Sequence, residues 1–311
     1  MLGPGDVGYR VVVRRFVGIR EDRPQFSDAL GRLVSLTDTD ATLDTGRGLL
    51  VVPLDTVALA KRVPPAARDI LSLERAAAAA WPAPETEPLG AWLLRAAEGW
   101  TNRANSALAI GSPGRPRTEA LAATVDWYAA RGLVPRITTP LPLATPVARL
   151  LASEGWTAQP TTLVQTGLVP VGDAAGVRLT ADPDDEVIDL VAGWKGPVPA
   201  VARHILTAPP QVRFARLYDG SVLVGAARGV VTGDWFGISL VTVAPEARRR
   251  GLARRLVRAL GGWATEVGAT RCYLQVEGQN SAALALYERL GFATHHAYIT
   301  WRLDGPGRPT A

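Results

Sequence analysis

An arginine-rich loop in the last third of the chain has the residue types to bind a diphosphate. Residues 241–253 read VTVAPEARRRGLA, which is an apolar stretch, a loop and the start of an amphipathic helical pattern. The first turn of a helix leaves backbone N–H groups unpaired and carries partial positive charge, and both properties suit a pyrophosphate. Gly251 has no Cβ to block a ligand, and Ala253 keeps the next turn narrow. Cationic side chains able to reach phosphate oxygens cluster there, namely Arg248, Arg249, Arg250, Arg254 and Arg255.

A second set of spaced residues follows at 280–292, which reads NSAALALYERLGF. Together the two segments resemble motif A and motif B of the GCN5-related N-acetyltransferase superfamily. Motif A, Arg/Gln-x-x-Gly-x-Gly/Ala, is matched by Arg248, Gly251 and Ala253, and the frequent hydrophobic-x-Pro-Glu before it by residues 243–246. Motif B is matched at the expected distance by Asn280, Ala283, Tyr287, Glu288, Gly291 and Phe292. The resemblance covers roughly residues 176–304.

The resemblance implies an N-acetyltransferase with acetyl-CoA as co-substrate and no metal. The backbone of residues 241–243 would hold the acetyl carbonyl and the pantetheine arm, and the amides of residues 249–254 would hold the pyrophosphate. Tyr287 would be the general acid toward the departing thiolate, for which a phenol of pKa about 10 is a reasonable donor. The implied acetyl-CoA site comprises Val241, Thr242, Val243, Arg248, Arg249, Arg250, Gly251, Leu252, Ala253, Arg254, Asn280, Ala283 and Tyr287.

The base that would deprotonate the acceptor amine is left open by the sequence. Many relatives carry a glutamate on the strand before motif A, but residues 235–243 contain none and offer Ser239 as the only polar side chain before Thr242. Glu277 and Asp234 flank the two predicted strands, where either could act as a base or hold a relay water. A surface role is the alternative for both, and an amine taken up in its neutral form would need no dedicated base.

The composition is that of a globular protein with more than one core. The chain has 311 residues, of which 47% are hydrophobic and 20% charged, which suits two to three domains. No stretch approaches the ~20 apolar residues that span a bilayer, so we expect a cytoplasmic location and no membrane partner. Cys272 is the single cysteine, which rules out an internal disulfide. The net charge of +5 favours anionic ligands such as a phosphorylated cofactor, and nucleic acid is not expected as a partner.

The first 63 residues are predicted to form a small all-β domain. β-branched runs such as residues 7–18 and 49–53 are separated by turn residues, and their size and spacing are like those of an SH3-like barrel. Residues 64–89 are predicted to be a helix that ends before Pro82, followed by a linker.

The rest of the chain alternates between helical and strand patterns, which predicts an α/β fold. Aligning Gly155-Trp156 with Gly291-Phe292 reveals an internal repeat, so we predict two related units at residues 90–172 and 173–311. Chance likeness of two helix ends is the alternative. The predicted fold class is thus α/β, an α+β acetyltransferase fold in tandem with an active second half, behind a small N-terminal all-β SH3-like barrel.

The first unit is a degenerate copy under this alignment. Leu151 replaces Tyr287 and Ala144 replaces Asn280, so this unit should not catalyse and would instead form one wall of the acceptor pocket. This order of a barrel, a degenerate half and an active half resembles the domain order of a group of actinobacterial acetyltransferases with an N-terminal SH3-like domain. Some members of that group are associated with N-acetylglutamate formation, and others are labelled histone-acetyltransferase-like.

The predicted function is transfer of an acetyl group from acetyl-CoA to a primary amine, either of an amino acid such as glutamate or of a protein. A deep pocket faced by Arg228 or Arg103 would suit an amino acid with its carboxylate, whereas an open groove would suit a peptide. The alternative is a protein that senses acetyl-CoA while its barrel docks a partner or nucleic acid. The presence of Tyr287 and Asn280 favours the enzyme. The sequence leaves homo-oligomerisation open.

Overall fold

The computed structural model describes residues 2–45, 47–195 and 198–304 of the chain. These residues form two β-sheets that are connected through a helix. The first sheet consists of antiparallel strands from the first 62 residues: β1 (Arg10–Arg20), β2 (Arg23–Leu36), β3 (Asp40–Asp44), β4 (Leu49–Pro53) and β5 (Val57–Arg62).

The strand order of the first sheet is β4-β3-β2-β1-β5. Alternate side chains of a strand point to the same face, and on one face Val11, Val13, Leu33 and Leu43 are completely buried. The strands predicted for this region are therefore confirmed, although β1 and β2 are long, with 11 and 14 residues. Among the described residues no pairing joins the edge strands β4 and β5, so the prediction of a closed SH3-like barrel is not confirmed.

Helix α1 (Ala67–Ala79) leads from the first sheet to the second. A first series of elements follows it: β6 (Glu85–Leu89), β7 (Trp92–Ala96), β8 (Ala107–Leu108), α2 (Arg117–Ala129), β9 (Arg136–Leu141), α3 (Thr145–Ser153), β10 (Thr157–Ala158) and β11 (Thr162–Gly167). The structure differs from the predicted linker up to residue 89, because residues 85–89 form β6 and pair with β7. The edge position of β6 tolerates Pro88, which cannot donate to a ladder.

A second series of elements completes the chain: β12 (Val177–Thr180), α4 (Asp185–Lys195), α5 (Ala200–Thr207), β13 (Val212–Asp219), β14 (Val222–Thr232), β15 (Trp235–Val243), α6 (Leu252–Glu266), β16 (Arg271–Glu277), α7 (Ser281–Arg289) and β17 (Ala293–Arg302). The helices and strands predicted from residue 235 onward are confirmed. Helix α5 was not predicted, since its eight residues span too few turns to establish a period.

The second sheet interlocks the two series of strands. Its order is β12-β13-β14-β15-β16-β11-β17-β9-β8-β7-β6, and β10 pairs with β17 off this path. Strand β11 of the first series lies between β16 and β17 of the second series. Strand β17 in turn pairs with β9 of the first series. Each series supplies one strand to the other half, so the predicted boundary at residues 172 and 173 divides segments of one continuous sheet.

The strand order is symmetrical about the β11–β17 pair. The parallel strands β16 and β15 follow on one side, and the parallel strands β9 and β8 follow on the other. Gly155 and Gly291 lie just beyond helices α3 and α7, both in the left-handed region with φ of +77° and +82°. This symmetry supports the predicted duplication of the α/β unit, which stays a prediction.

Helix α6 packs its apolar face on the strands of the second half. Leu256 and Leu260 are completely buried there, and Trp263 is 8% exposed. These positions recur every three to four residues, as expected of a helix with one buried stripe. Val267 follows the helix as its C-cap residue and is 37% exposed, so it lies outside the buried stripe. The packing fixes the start of α6 beside the end of β15.

Candidate active site

The second sheet opens between β15 and β16. The two strands pair in parallel only as far as Ile238 opposite Leu274. Beyond this point β15 pairs with β14 alone, and β16 pairs with β11 alone. The edge of β15 from Ser239 to Val243 that faces β16 is therefore free of strand pairing. Its main-chain groups are available to a ligand that enters the opening.

A β-bulge marks the start of this opening. Leu240 has a φ of +55°, in the left-handed region that residues other than glycine rarely adopt. The register between β14 and β15 shifts at the same place, between Ala226 and Arg228. A bulge bends the strand that contains it, so the second half of β15 diverges from β16. Leu240 has no sequence feature typical of a left-handed residue, and the bulge was not predicted.

The loop after β15 presents unpaired amides at the start of α6. Gly251 is the N-cap residue with a φ of +76°, and Arg249 is also left-handed with a φ of +66°. Within the described part of the chain, the N–H groups of residues 249–253 donate to no oxygen. The first amides of α6 with a partner are those of Arg254 and Arg255, which both donate to the carbonyl of Gly251. A run of free amides therefore lies at the positive end of a 15-residue helix.

The arginine side chains of this loop are only loosely engaged. Nε of Arg248 donates to the carbonyl of Val243 at 3.2 Å, and Arg250 forms an ion pair with Asp219 at 2.7 Å. Arg254 is exposed. Because exposed ion pairs contribute little, these guanidinium groups can exchange their present contacts for a phosphate.

The second sequence motif forms α7 and its flanks. Asn280 is the N-cap residue, and its Oδ1 accepts a hydrogen bond from the N–H of Ala283 at 3.1 Å. The sequence had suggested only a ligand contact for Asn280, and the structure adds this capping function. Ala283 and Tyr287 pack in the same apolar cluster as Val241 and Leu252, so the structure brings both motifs together.

Tyr287 is a buried proton donor without a partner. Its side chain is 8% exposed, and its hydroxyl forms no hydrogen bond with any described residue. Its ring meets Phe292 edge to face, with ring centroids 5.9 Å apart. Burial raises the pKa of Tyr287 well above the usual value of a phenol. The hydroxyl therefore stays protonated at neutral pH and is free to donate.

The equivalent positions of the first series lack these groups. Ala144 is the N-cap residue of α3 and makes no side-chain hydrogen bond to the helix. Leu151 is completely buried. Neither residue can donate a proton or hold a polar ligand through its side chain. The prediction that this half does not catalyse is untested and stays a prediction.

The predicted base candidates lie at different ends of the strands. Asp234 precedes β15 at the end away from the opening, where Arg271 donates to both carboxylate oxygens at 2.7 and 2.8 Å and lowers the pKa of Asp234. This pair joins the starts of β15 and β16, so Asp234 is unsuited as the base. Glu277 is the last residue of β16 and is exposed. Ser239 is the first residue of β15 beyond the parallel pairing, and its Oγ lies 3.5 Å from Nη1 of Arg228.

A narrow slit lies on the other side of the opening, under α1 and the residues that follow it. Its lining includes Trp81, Arg103, Arg228, Ser239 and Gln275. Arg103 and Gln275 also line an adjoining space that reaches Glu74, Arg95 and Tyr298. We call the two spaces together the arginine slit (Glu74, Trp81, Arg95, Arg103, Arg228 and Gln275). The sequence had suggested Arg103 and Arg228; the others lie in segments without a motif and were missed.

A buried carboxylate borders the arginine slit. Glu74 on α1 is 4% exposed, and one of its oxygens lies 2.8 Å from Nε2 of His296 on β17. Nδ1 of His296 lies 2.9 Å from Nδ1 of His295. Burial, His296 and Arg271 lower the pKa of His295 to about 3. His295 is therefore neutral at pH 7. The contact between Glu74 and His296 attaches α1 to the second sheet.

A larger cavity lies elsewhere, between the first sheet and the second. It has a volume of about 560 Å³ and is lined by residues of both sheets, including Tyr9, Arg32, Trp235 and His295. Gly8 meets the second sheet nearby, where an added Cβ would lie 3.4 Å from that of Ala293. Since neither motif lines this cavity, we place the chemistry at the opening between β15 and β16.

The described residues show neither a side-chain cluster for a metal ion nor a helix that could cross a membrane. No group of three or more His, Cys, Asp or Glu side chains there is arranged to hold a metal ion. None of the helices formed by these residues is long and apolar enough to cross a membrane.

Comparison with known proteins adds the family context. A family model described as "Probable histone acetyltransferase Rv0428c C-terminal" matches residues 67–300. The chain is 34% identical to "Probable histone acetyltransferase Rv0428c" of Mycobacterium tuberculosis, over 94% of both chains. It is 31% identical to "Uncharacterized N-acetyltransferase YobR" of Bacillus subtilis, over 74% of this chain and 98% of that one.

A solved structure has the same fold. A GCN5-related N-acetyltransferase from Kribbella flavida superposes with a TM-score of 0.58 and covers 78% of this chain and 97% of its own. The two sequences are 17% identical, so this likeness concerns the fold alone.

Proposed function

The chain belongs to the Rv0428c family within the GCN5-related N-acetyltransferases, and on this basis we propose that it transfers the acetyl group of acetyl-CoA to a primary amine. The relatives from Mycobacterium tuberculosis and Bacillus subtilis are both described as acetyltransferases. The co-substrate, the roles of individual residues and the acceptor make up the proposal.

One observation carries the proposal, namely the opening beside the free amides. The unpaired edge of β15 ends at Val243, and the loop that follows presents the unpartnered N–H groups of residues 249–253. An elongated ligand with a diphosphate at one end and an acyl group at the other fits both features. The diphosphate would bind the loop amides and the exposed guanidinium groups of Arg248, Arg249, Arg250 and Arg254.

Acetyl-CoA supplies an activated acetyl thioester when it is bound. Main-chain groups of Val241, Thr242 and Val243 would hold the acetyl carbonyl and the pantetheine in the way that an added strand is held. Asn280 and Ala283 at the start of α7 would border the pantetheine. Tyr287 would donate its proton to the thiolate of coenzyme A as the thioester is cleaved, since its hydroxyl is protonated and has no other partner.

The acceptor amine would lose its proton in the arginine slit. Arg228 carries a buried positive charge beside the opening, and a nearby positive charge lowers the pKa of an amine. Glu74 is the carboxylate among the described residues that line the slit, and it would receive the proton. The degenerate first half, which contributes Arg95 and Arg103, would form the wall of this acceptor site.

The experiment measures release of coenzyme A thiol from acetyl-CoA with a panel of amino acids, polyamines and lysine peptides. We expect Tyr287→Phe to lower kcat about 100-fold or more, because a positioned general acid contributes at least this much. The affinity for acetyl-CoA should stay the same. Tyr9→Phe is the matched control, since the ring of Tyr9 contacts Arg62 of the first sheet, outside both motifs.

An unchanged kcat in Tyr287→Phe would contradict the role of this tyrosine. Absence of turnover with every amine, together with tight binding of coenzyme A, would favour the alternative of an acetyl-CoA sensor.

A further inference from the structure

The arginine slit gathers three guanidinium groups that have no carboxylate partner. Arg95 is 3% exposed and Arg228 is 1% exposed, and Arg103 lies between them. None of the three forms an ion pair with a described residue. Because a buried charge without a counter-ion is costly, such a cluster needs an explanation beyond stability.

Arg228 is held by main-chain oxygens. Its Nε donates to the carbonyl of Leu206 at 2.9 Å, and its Nη2 donates to the carbonyls of Ala80 and Ile205 at 3.0 and 3.2 Å. These contacts fix the guanidinium without neutralising it. Burial lowers the pKa of Arg228 to about 9, so the side chain is still charged at pH 7. A bound anion would offset the cost of this charge.

Arg103 is the guanidinium best placed to receive a ligand. Its Nε is buried and has no hydrogen-bond partner. Its Cζ lies 5.2 Å from the ring centre of Trp81, and the Cζ of Arg228 lies 5.1 Å from the same ring. Trp81 is thus contacted by two cations, which it attracts through its ring face. Arg103 also lines both spaces of the slit, so its unsatisfied donor is within reach of an acceptor oxygen that enters either space.

The other charges of the slit come from several elements. Arg95 on β7 donates to the carbonyl of Ser106 at 2.9 Å and to its hydroxyl at 3.1 Å. Glu74 on α1 is the single negative group facing these arginines among the described residues, and its partner is His296. Tyr273 adds a neutral hydroxyl, since burial raises its pKa well above the usual value, and the Tyr298 hydroxyl donates to Oε1 of Gln275 at 3.3 Å. The slit therefore has an excess of positive charge and one negative group.

The covering of the slit argues against a protein acceptor. Helix α1 and Trp81 close it from above, and Ala77, Ala78 and Ala80 form its lining on that side. The space is narrow, whereas a lysine on a folded protein needs an open groove for its flanking backbone. Each of the two spaces has a volume of about 10 Å³, which is the room for one water, so a bound acceptor would have to part their walls.

We propose that the arginine slit binds the acetyl acceptor and selects an amine that carries a carboxylate, with the carboxylate on Arg103 and the amine directed at the opening between β15 and β16. This inference rests on the proposed acetyl transfer for its chemistry. A planar carboxylate suits a narrow slit and can accept two parallel hydrogen bonds from one guanidinium. Glu74 provides the complementary contact for the ammonium group.

The first experiment measures binding, independently of turnover. Isothermal titration calorimetry of the full-length protein saturated with coenzyme A measures the affinity for each amino acid and for its α-carboxamide. The affinity for glycine is compared in the same way with that for aminomethylphosphonate. We expect the carboxylates to bind roughly tenfold to hundredfold more tightly than the carboxamides, as for a charge-assisted hydrogen bond. Equal binding of acid and carboxamide, or tighter binding of the phosphonate than of the carboxylate, would overturn the proposal.

The second experiment substitutes the ligand-facing arginine. Arg103→Gln should remove the preference for the carboxylate, raising KM for the acid at least about tenfold and leaving KM for the carboxamide unchanged. Arg103→Lys should restore part of the preference. Arg75→Gln, on the exposed side of α1, is the matched control and should change neither KM. A preference that survives in Arg103→Gln, with a folded protein by circular dichroism, would sink the proposal.

The two proposals fail separately. Selective binding of carboxylate amines without acetyl transfer would uphold the arginine slit and remove the proposed activity. Acetyl transfer to lysine peptides or to amines without a carboxylate, with no preference for a carboxylate, would uphold the proposed activity and overturn the proposal for the arginine slit.

Discussion

At the level of single residues, the site depends on groups whose hydrogen-bonding capacity is unused. Tyr287 has a free hydroxyl, the loop amides of residues 249–253 have no acceptor, and Nε of Arg103 has no partner. Of these groups Nε of Arg103 is fully buried, and buried polar groups are nearly always paired in folded proteins, whereas the loop amides are open to solvent or to a ligand. Unpaired groups that surround one opening of the sheet therefore point to ligands.

The lowered pKa of His295 makes the folded protein less stable at acidic pH. Its pKa is lowered to about 3 in the folded chain, from the usual 6.5. Between these values the unfolded chain binds a proton that the folded chain does not, so stability falls as the pH drops from 6.5 toward 3. We expect this residue to cost about 2 kcal/mol at pH 5 relative to pH 7.

Urea unfolding at pH 7 and pH 5 tests this expectation. His295→Gln should lose less stability between the two pH values than the unmodified chain. His204→Gln, on the exposed side of α5, is the matched histidine control and should not reduce the difference. A difference that is the same in His295→Gln as in the unmodified chain would show that another group is responsible.

At the level of elements, α6 is positioned by a close approach of the backbone. Gly261 faces the chain segment after β11, where an added Cβ would overlap the carbonyl oxygen of Pro170. Gly262 is the next residue of the same helix, and an added Cβ there would meet nothing within 4 Å. The two adjacent glycines thus differ in environment while sharing one helix.

Alanine substitution of these glycines should have opposite effects. Gly261→Ala should destabilise the protein by about 3 kcal/mol or more, because either the helix or the Pro170 segment must move. Gly262→Ala should stabilise it by up to about 1 kcal/mol, since alanine favours a helix over glycine. Thermal unfolding followed by circular dichroism measures both. Equal effects of the two substitutions would show that the close contact is absent.

At the level of the whole molecule, strand exchange makes the two α/β series inseparable. Strand β11 pairs with β16 from Thr162 opposite Glu277 to Gly167 opposite Cys272, and on its other edge it pairs with β17. Removing β11 would leave β16 and β17 without the neighbour that separates them. Exposed strand edges promote aggregation.

Truncation of the chain tests this dependence. A fragment of residues 173–304 should fail to unfold cooperatively and should aggregate, although it contains both sequence motifs. A fragment of residues 64–304 retains every strand of the second sheet and should remain soluble. Denaturant unfolding and size-exclusion chromatography distinguish the two. Cooperative unfolding of the shorter fragment would contradict the requirement for β11.

The sequence by itself determined the local part of the site. The loop of residues 248–253 and helix α7 each consist of consecutive residues, so their glycine, arginine, asparagine and tyrosine positions could be read as motifs. The amphipathic pattern of α6 was equally visible, because one face of a helix is encoded at a spacing of three to four residues.

The tertiary structure alone decided the opening, the strand exchange and the arginine slit. The slit joins Glu74, Arg95, Arg103, Arg228 and Gln275, which come from different segments and have no common spacing. The position of β11 between β16 and β17 results from pairing across more than a hundred residues. Neither the spacing of apolar residues nor the composition of the chain indicates such pairing. Contacts of this kind depend on which surfaces fold against each other, and a linear pattern of residue types does not record them.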